Sequence, residues 1–275
     1  MLSSFENKTV IITGASAGVG AACARTFAAL KAKLVLVARG EEALNKIADE
    51  LRPQCEVLTV VMNVASNEDC LALLEQAEST FGAVHVVVNN AGMHSRGDLE
   101  KVPVNDVAAM VDINMRAPLL LSAAAIPYLR RAGEGAIVNV GSLAGRAPLQ
   151  GAATYSATKA GLRAFSYALA DELRDSGISV GVVSPGPIDT GFIMDEIDLV
   201  EDIVFSQPMS SAQQVADGIV EIAAGRQVEV VLPAASAKLT HLSYLFPNLR
   251  RKIRPKLYEQ GRKNKEKYRN RQATK

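Results

Sequence analysis

The sequence predicts an α/β fold: a parallel sheet covered by helices on both faces. Short β-branched apolar runs alternate with longer helix-periodic stretches over residues 9–232, the pattern of repeated strand–helix–strand units. The runs are apolar on successive residues, as in strands buried on both faces. A glycine-rich turn follows the first run and opens the first helix, where a doubly wound sheet binds a dinucleotide.

In chain order the runs are Thr9–Ile12, Leu34–Val37, Val57–Val61, Val84–Val88, Ala136–Val140, Ile178–Val183 and Val228–Leu232. Helical periodicity fills 18–30, 41–51, 67–80, 105–129, 153–175 and 212–223. Ligands bind beyond the carboxyl ends of the strands in such sheets, so function is expected in the segments after each run.

The chain has 275 residues, long enough for one α/β domain of about 200–250 residues and an extension. A dinucleotide-binding catalytic domain is expected over 1–232 and a basic amphipathic extension over 233–275. Apolar residues make up 48% and charged residues 21%, which excludes a wholly disordered chain. No apolar run approaches the length of a spanning helix, and the start, MLSSFENKTV, lacks the basic-then-apolar pattern of a secretory signal. Cys23, Cys55 and Cys70 lie far apart without metal-ligand spacing. They read as reduced thiols in a cytoplasmic protein, with no metal site. The formal charge of +1 hides a split. Residues 1–237 carry 17 Lys and Arg against 27 Asp and Glu, net −10, and residues 238–275 carry 13 against 2, net +11. The body is acidic and the tail points towards a polyanionic surface.

After the first run comes TGASAGVG, with Gly14, Gly18 and Gly20. Glycines allow a tight turn and close backbone approach to a pyrophosphate, which the next helix meets with its positive end. Thr13 and Ser16 can add hydroxyl donors. After the second run stands Arg39, with no acidic residue to accept from a ribose 2′-hydroxyl. A guanidinium fork suits a 2′-phosphate, which favours NADP over NAD. Asn63 is either an adenine contact or a turn-former. Asn89-Asn90-Ala91-Gly92 is a close-approach segment for the ribose and nicotinamide, or a plain turn. Tyr155 and Lys159 are four apart on one predicted helix face. A nearby ammonium lowers a tyrosine pKa and suits it to acid–base work. Ser142, just past the fifth run, can bind a substrate oxygen.

TGASAGVG, NNAG, Asn114, Ser142, YSATK and SPGPIDT occur in this order, and the set resembles the short-chain dehydrogenase/reductase family over residues 5–232. The resemblance implies a seven-stranded sheet of order 3-2-1-4-5-6-7 and pairing into homodimers or homotetramers through the helices at 105–129 and 153–175. It implies that Tyr155 is the general acid/base, that Lys159 lowers its pKa and holds the nicotinamide ribose, and that Ser142 polarises the substrate carbonyl. Asn114 matches the residue that helps hold a proton-relay water. Pro185, Gly186, Ile188 and Thr190 match the loop that fixes the nicotinamide. Gly14, Ser16, Gly18, Val19, Gly20, Arg39, Asn63, Val64, Asn90, Ala91 and Gly92 complete the NADP(H) set. Asn63 replaces a more usual Asp, and Ala17 stands where some NADP-preferring members carry a second basic residue.

Residues 187–210 form the expected substrate lid. Ile188, Phe192, Ile193, Met194, Ile197, Val204 and Phe205, with Leu143, Leu149, Met93 and His94, are candidates for an apolar pocket. Asp195, Glu196, Asp198, Glu201 and Asp202 are expected on its outer side. The expected activity is hydride exchange between NADP(H) and a lipophilic ketone or secondary alcohol, acyl, steroid or xenobiotic. The alternatives are a catalytically lapsed NADP-binding sensor and a membrane-surface adaptor. In the tail, Leu239, Leu242, Leu245, Phe246 and Leu249 form a helical stripe broken at Pro247. Arg250, Arg251, Lys252, Arg254 and Lys256 follow, among them Ile253 and Leu257. A basic amphipathic stretch over 238–257 can lie on an anionic membrane. It can instead pack on the acidic body or on a partner subunit, with a solvated end beyond residue 260. Nucleic-acid binding is not expected, because the body is acidic and no aromatic-interleaved module is present.

Overall fold

Residue alternation along β1 explains the architecture of the computed structural model, which describes residues 2–273. Val10 and Ile12 pack on one side of the sheet and Ile11 on the other, as Leu34 and Leu36 oppose Val35 and Val37 in β2. Both faces are buried, hence the unbroken apolar runs. The strands are β1 (Thr9–Thr13), β2 (Lys33–Ala38), β3 (Val57–Val61), β4 (Val86–Asn89), β5 (Gly135–Val140), β6 (Ile178–Pro185) and β7 (Glu229–Leu232). They form one seven-stranded sheet in the order β3-β2-β1-β4-β5-β6-β7, with every neighbouring pair parallel. Helices α1 (Gly18–Ala29), α2 (Glu41–Leu51) and α8 (Ala212–Ala223) supply the core on one face. Helices α3 (Asn67–Phe81), α5 (Ala117–Arg131) and α6 (Ala153–Glu172) supply the other.

The single helix expected over 105–129 is α4 (Val104–Val111), a π-helical turn (Asp112–Arg116) and α5. Pro118 has no N–H to return to the carbonyl of Asn114, four residues earlier. Ala117 N–H reaches back to the Asp112 carbonyl instead. By length and composition Val104–Arg131 is apolar enough to cross a membrane. The count of consecutive apolar residues missed this because Asp112 and Arg116 interrupt it. In the fold the segment is a core helix, with Met110, Leu121, Ala125 and Leu129 buried.

Beyond β6 the lid contains α7 (Gly191–Met194) and a 3₁₀ turn at Asp202–Ser206. Ile193, Met194, Ile197, Val200 and Phe205 form a small core of their own, closed by Tyr268. After β7 come α9 (Ser236–Leu245) and α10 (Pro247–Ala273). From residue 260 to Ala273 the described chain is therefore helical and packed. At Gly261 the backbone of α10 presses on the lid, since a Cβ there would stand 1.8 Å from the Asp202 carbonyl oxygen. Buried Lys265 donates to the Val200 carbonyl (2.6 Å) and pairs with Asp202 (3.4 Å). Arg262 pairs with Asp202, Arg269 with Asp198 and Arg271 with Asp189. This end of the basic tail meets the acidic lid, and much of the charge split is resolved within the molecule. The side chain of Leu249 lies outside the described residues.

Candidate active site

The glycine turn is built to leave space. Gly14 and Gly18 have φ of 68° and 53°, in the left-handed region that glycine tolerates. A Cβ on Gly20 would fall 2.1 Å from the Gly14 carbonyl oxygen, so α1 starts directly against the turn. No acidic residue occupies its first turn, and no side chain caps it at Ala17. The helix N–H groups and the open cradle suit a pyrophosphate. Thr13 differs from expectation. Its hydroxyl accepts from Asn90 N and Ala91 N (both 3.0 Å) and donates to the Val88 carbonyl. It ties β1 to the NNAG segment and does not face a ligand. Asn90 Nδ2 reinforces the tie by donating to the Thr13 and Gly14 carbonyls.

Ser16, Gly18, Val19, Ala91, Gly92, Pro185, Gly186, Ile188 and Thr190 line one cavity of about 550 Å³ with Gly14 and Asn90. Gly20 stands behind the turn, and Arg39, Asn63 and Val64 lie outside the cavity wall. Arg39 is exposed just past β2. The Asn63 side-chain oxygen accepts from Ala65 N at 3.1 Å, so that residue forms a turn and Val64 is buried behind it.

Ser142 caps the turn Leu143–Gly145, with its hydroxyl accepting from Ala144 N at 3.1 Å. A Cβ on Gly145 would lie 2.6 Å from the Lys159 carbonyl oxygen. That close approach lets the serine loop press on α6, with Ser142 and Tyr155 lining the same cavity. Burial pushes the Tyr155 phenol up from its ordinary value, partly offset by the Ser142 hydroxyl and the Arg96 charge. The expected lowering by Lys159 is thus not what the protein's own groups produce. Lys159 Nζ is directed at the Val140 carbonyl (2.7 Å) and lies 5.8 Å from the Tyr155 ring centre. Burial lowers the Lys159 ammonium to about 8.

Asn114, fully buried, clamps the backbone of Met93: Oδ1 accepts from its N–H and Nδ2 donates to its carbonyl, both 2.8 Å. Met93 therefore stands outside the cavity wall. A Cβ on Gly92 would be 3.3 Å from Asn114 Oδ1 and 3.8 Å from Lys159 Nζ, so the glycine keeps the space between them open.

Leu143, Leu149, His94, Phe192, Ile193 and Val204 line the substrate side. Met194, Ile197 and Phe205 belong to the lid's own core. His94 stacks on Tyr155, with ring centres 4.2 Å apart at 13°. Burial, with Arg96 and Lys159 nearby, lowers its pKa to about 3, so it is a neutral wall at ordinary pH.

Three features escaped the sequence reading. Arg96 bonds His94 (2.9 Å), the Phe192 carbonyl (2.8 Å) and Glu196 (3.0 Å), locking the lid to the segment after β4. Leu239, Ser243, Arg250, Ile253 and Leu257 of the tail complete the cavity. Arg146, buried just past the serine loop, pairs with Glu229 of β7 and donates to Thr240 Oγ1 (3.0 Å) on α9. Glu229 also receives Arg163 and Tyr167 of α6 and Ser184 of β6. Of these, only complementary charge left a trace in the sequence.

Against known proteins, the family model described as short chain dehydrogenase matches residues 8–198. The chain is a member of the short-chain dehydrogenase/reductase family. It is 33% identical to an uncharacterized oxidoreductase of Staphylococcus epidermidis over 220 residues, covering 80% of this chain and 92% of that one. Sulfoacetaldehyde reductase 2 of Chromohalobacter salexigens is 36% identical over 187 residues, covering 67% of this chain and 74% of its own. A short-chain dehydrogenase/reductase of Burkholderia phymatum, solved with NAD, superposes with a TM-score of 0.80 at 26% identity and covers 90% and 97% of the two chains. The fold is thus that of the family, and its members are oxidoreductases.

In this dehydrogenase/reductase, Lys159 tests the cost of the site. Its pKa of about 8 lies below the ordinary 10.5, so the unfolded chain binds more protons between these values. Stability then rises with pH from about 8 to 10.5, and the penalty is complete below 8. A shift of this size corresponds to about 3 kcal/mol. Lys159→Met keeps the apolar stem but loses the Val140 bond. It is expected to stabilise the fold at pH 7 by about 1–2 kcal/mol while turnover falls. Urea denaturation checks the gain.

Proposed function

We propose that the protein is an NADP(H)-dependent oxidoreductase that reduces a lipophilic ketone, or oxidises the corresponding secondary alcohol, with Tyr155 as general acid/base. The observation that carries this reading is that Ser142, Tyr155 and Lys159 line the same apolar-walled cavity as the glycine cradle. The cradle, the nicotinamide-side loop at Pro185–Thr190 and Lys159 would hold the cofactor, which supplies or accepts the hydride when bound. The chain's own part is to orient the carbonyl, shield it from water and move one proton. Ser142 donates to the carbonyl oxygen. Tyr155, kept protonated by burial, gives that oxygen its proton in the reduction direction and takes it back in oxidation. Lys159, with Asn114 across the gap at Gly92, returns a proton from solvent. We assign the protein to the cytoplasm as a homodimer or homotetramer; exposed Val104, Val111 and Tyr167 on α4 and α6 support a helical interface.

Arg39 supports NADP(H) because it is the exposed cation at the end of β2. Arg39→Asp replaces a 2′-phosphate clamp by an acceptor for a ribose hydroxyl. The ratio of kcat/KM with NADPH to that with NADH is expected to fall about 10- to 100-fold. A wild-type preference for NADH would contradict the assignment.

A further inference from the structure

At Leu239 the wall of the substrate cavity runs out into an uncovered apolar elbow. Leu239 both lines the cavity and is 40% exposed. On the neighbouring face of α9 and at its end, Leu242, Tyr244, Leu245 and Phe246 are 50%, 65%, 70% and 54% exposed. Scattered apolar residues are ordinary on a surface, but a contiguous patch with a polar rim marks an interaction site. The rim is basic: Lys238, Arg251, Lys252 and Lys256 are exposed, and 238–258 contains no acidic residue. Farther along α10, Arg262, Lys265, Arg269 and Arg271 bind lid carboxylates. Lys238, Arg251, Lys252 and Lys256, none of which pairs with a lid carboxylate among the described residues, flank the apolar elbow.

We infer that the α9–α10 elbow docks on an anionic phospholipid bilayer, with Leu242, Leu245 and Phe246 in the interface and the basic rim on the headgroups. The cavity wall at Leu239 then faces the lipid, and a membrane-dissolved ketone or alcohol enters past Leu239 without crossing water. A second copy of the chain placed symmetrically on this patch would oppose the basic rim with itself, which is repulsive. An anionic bilayer complements both the apolar and the charged parts. The choice of substrate phase rests on the proposed oxidoreductase function; the docking does not.

The test is sedimentation of the full chain with phosphatidylcholine vesicles and with vesicles also containing phosphatidylglycerol, at low and high salt. Alongside it, turnover is measured on a water-soluble ketone and on one dissolved in the bilayer. Co-sedimentation is expected only with the anionic vesicles and is weakened by salt. Leu245→Glu with Phe246→Glu, and separately Arg251→Gln with Lys252→Gln, should each lower partitioning by about ten-fold or more. Both variants should raise KM for the bilayer-dissolved ketone and leave the soluble one unchanged. Docking is overturned if the wild type stays in the supernatant, or if both variants sediment as it does. It is also overturned if Leu245→Glu with Phe246→Glu only shifts the oligomer to a smaller species, which assigns the patch to a second copy. Sedimentation without turnover on any carbonyl would sink the oxidoreductase reading and leave docking standing.

Discussion

Tyr155→Phe is expected to lower turnover by about 10²- to 10⁴-fold, the range for losing a positioned general acid. Dissociation of NADPH should change by no more than a few-fold. The two effects separate because of what the ring touches. Its face packs on His94 at 4.2 Å, a contact that phenylalanine retains. Only the hydroxyl, whose pKa Ser142 lowers against burial, is removed. Ser142→Ala should be milder, since Ser142 orients the carbonyl without giving up a proton. Fluorescence titration of NADPH beside steady-state rates separates binding from chemistry. Retained turnover in Tyr155→Phe would remove the general-acid role.

Glu229→Gln should have the largest effect on folding. Burial alone would raise the Glu229 carboxyl, but hydrogen bonds from Arg163, Arg146, Ser184 and Tyr167 hold it at about 2. Neutralising it leaves Arg146 buried without a counter-charge, which costs about 3–5 kcal/mol. With a folded pKa of about 2 against the ordinary 4.5, the carboxylate's contribution is complete above 4.5. It disappears as pH falls through 2. Urea denaturation between pH 7 and pH 3 should show the wild type losing stability over a range where the variant loses less. Arg146→Met combined with Glu229→Gln should cost less than the two separate losses together, because the charges share one network. Turnover should fall as well, since Arg146 anchors the loop that carries Ser142.

The fold was legible because its signals are local. The runs at Leu34–Val37 and Val57–Val61 fall within β2 and coincide with β3, and the edges elsewhere moved by one to a few residues. The Ser142, Tyr155 and Lys159 set was legible because ordered motifs carry it. What escaped depends on distant segments meeting. Arg146 and Glu229 are 83 residues apart, and neither has a local pattern that marks it as buried. Gly261 carries no local signal for its close approach to the Asp202 carbonyl, which occupies the space a Cβ would take. The π turn had a local cue in Pro118, four residues after Asn114, but periodicity alone reads straight through it. The charge split was visible in the sequence, though as a hint of an external polyanion. Much of its meaning is the contact between α10 and the lid.

In the proposed reaction this cavity moves a hydride onto a carbonyl carbon while Tyr155 supplies the proton. The most direct measurement follows deuterium from 4-deuterated NADPH into the product of an apolar ketone, in the wild type and in Tyr155→Phe. Label is expected on the carbinol carbon with the wild type and almost none with the variant. NADPH that binds the wild type but gives no labelled alcohol with any ketone would contradict it.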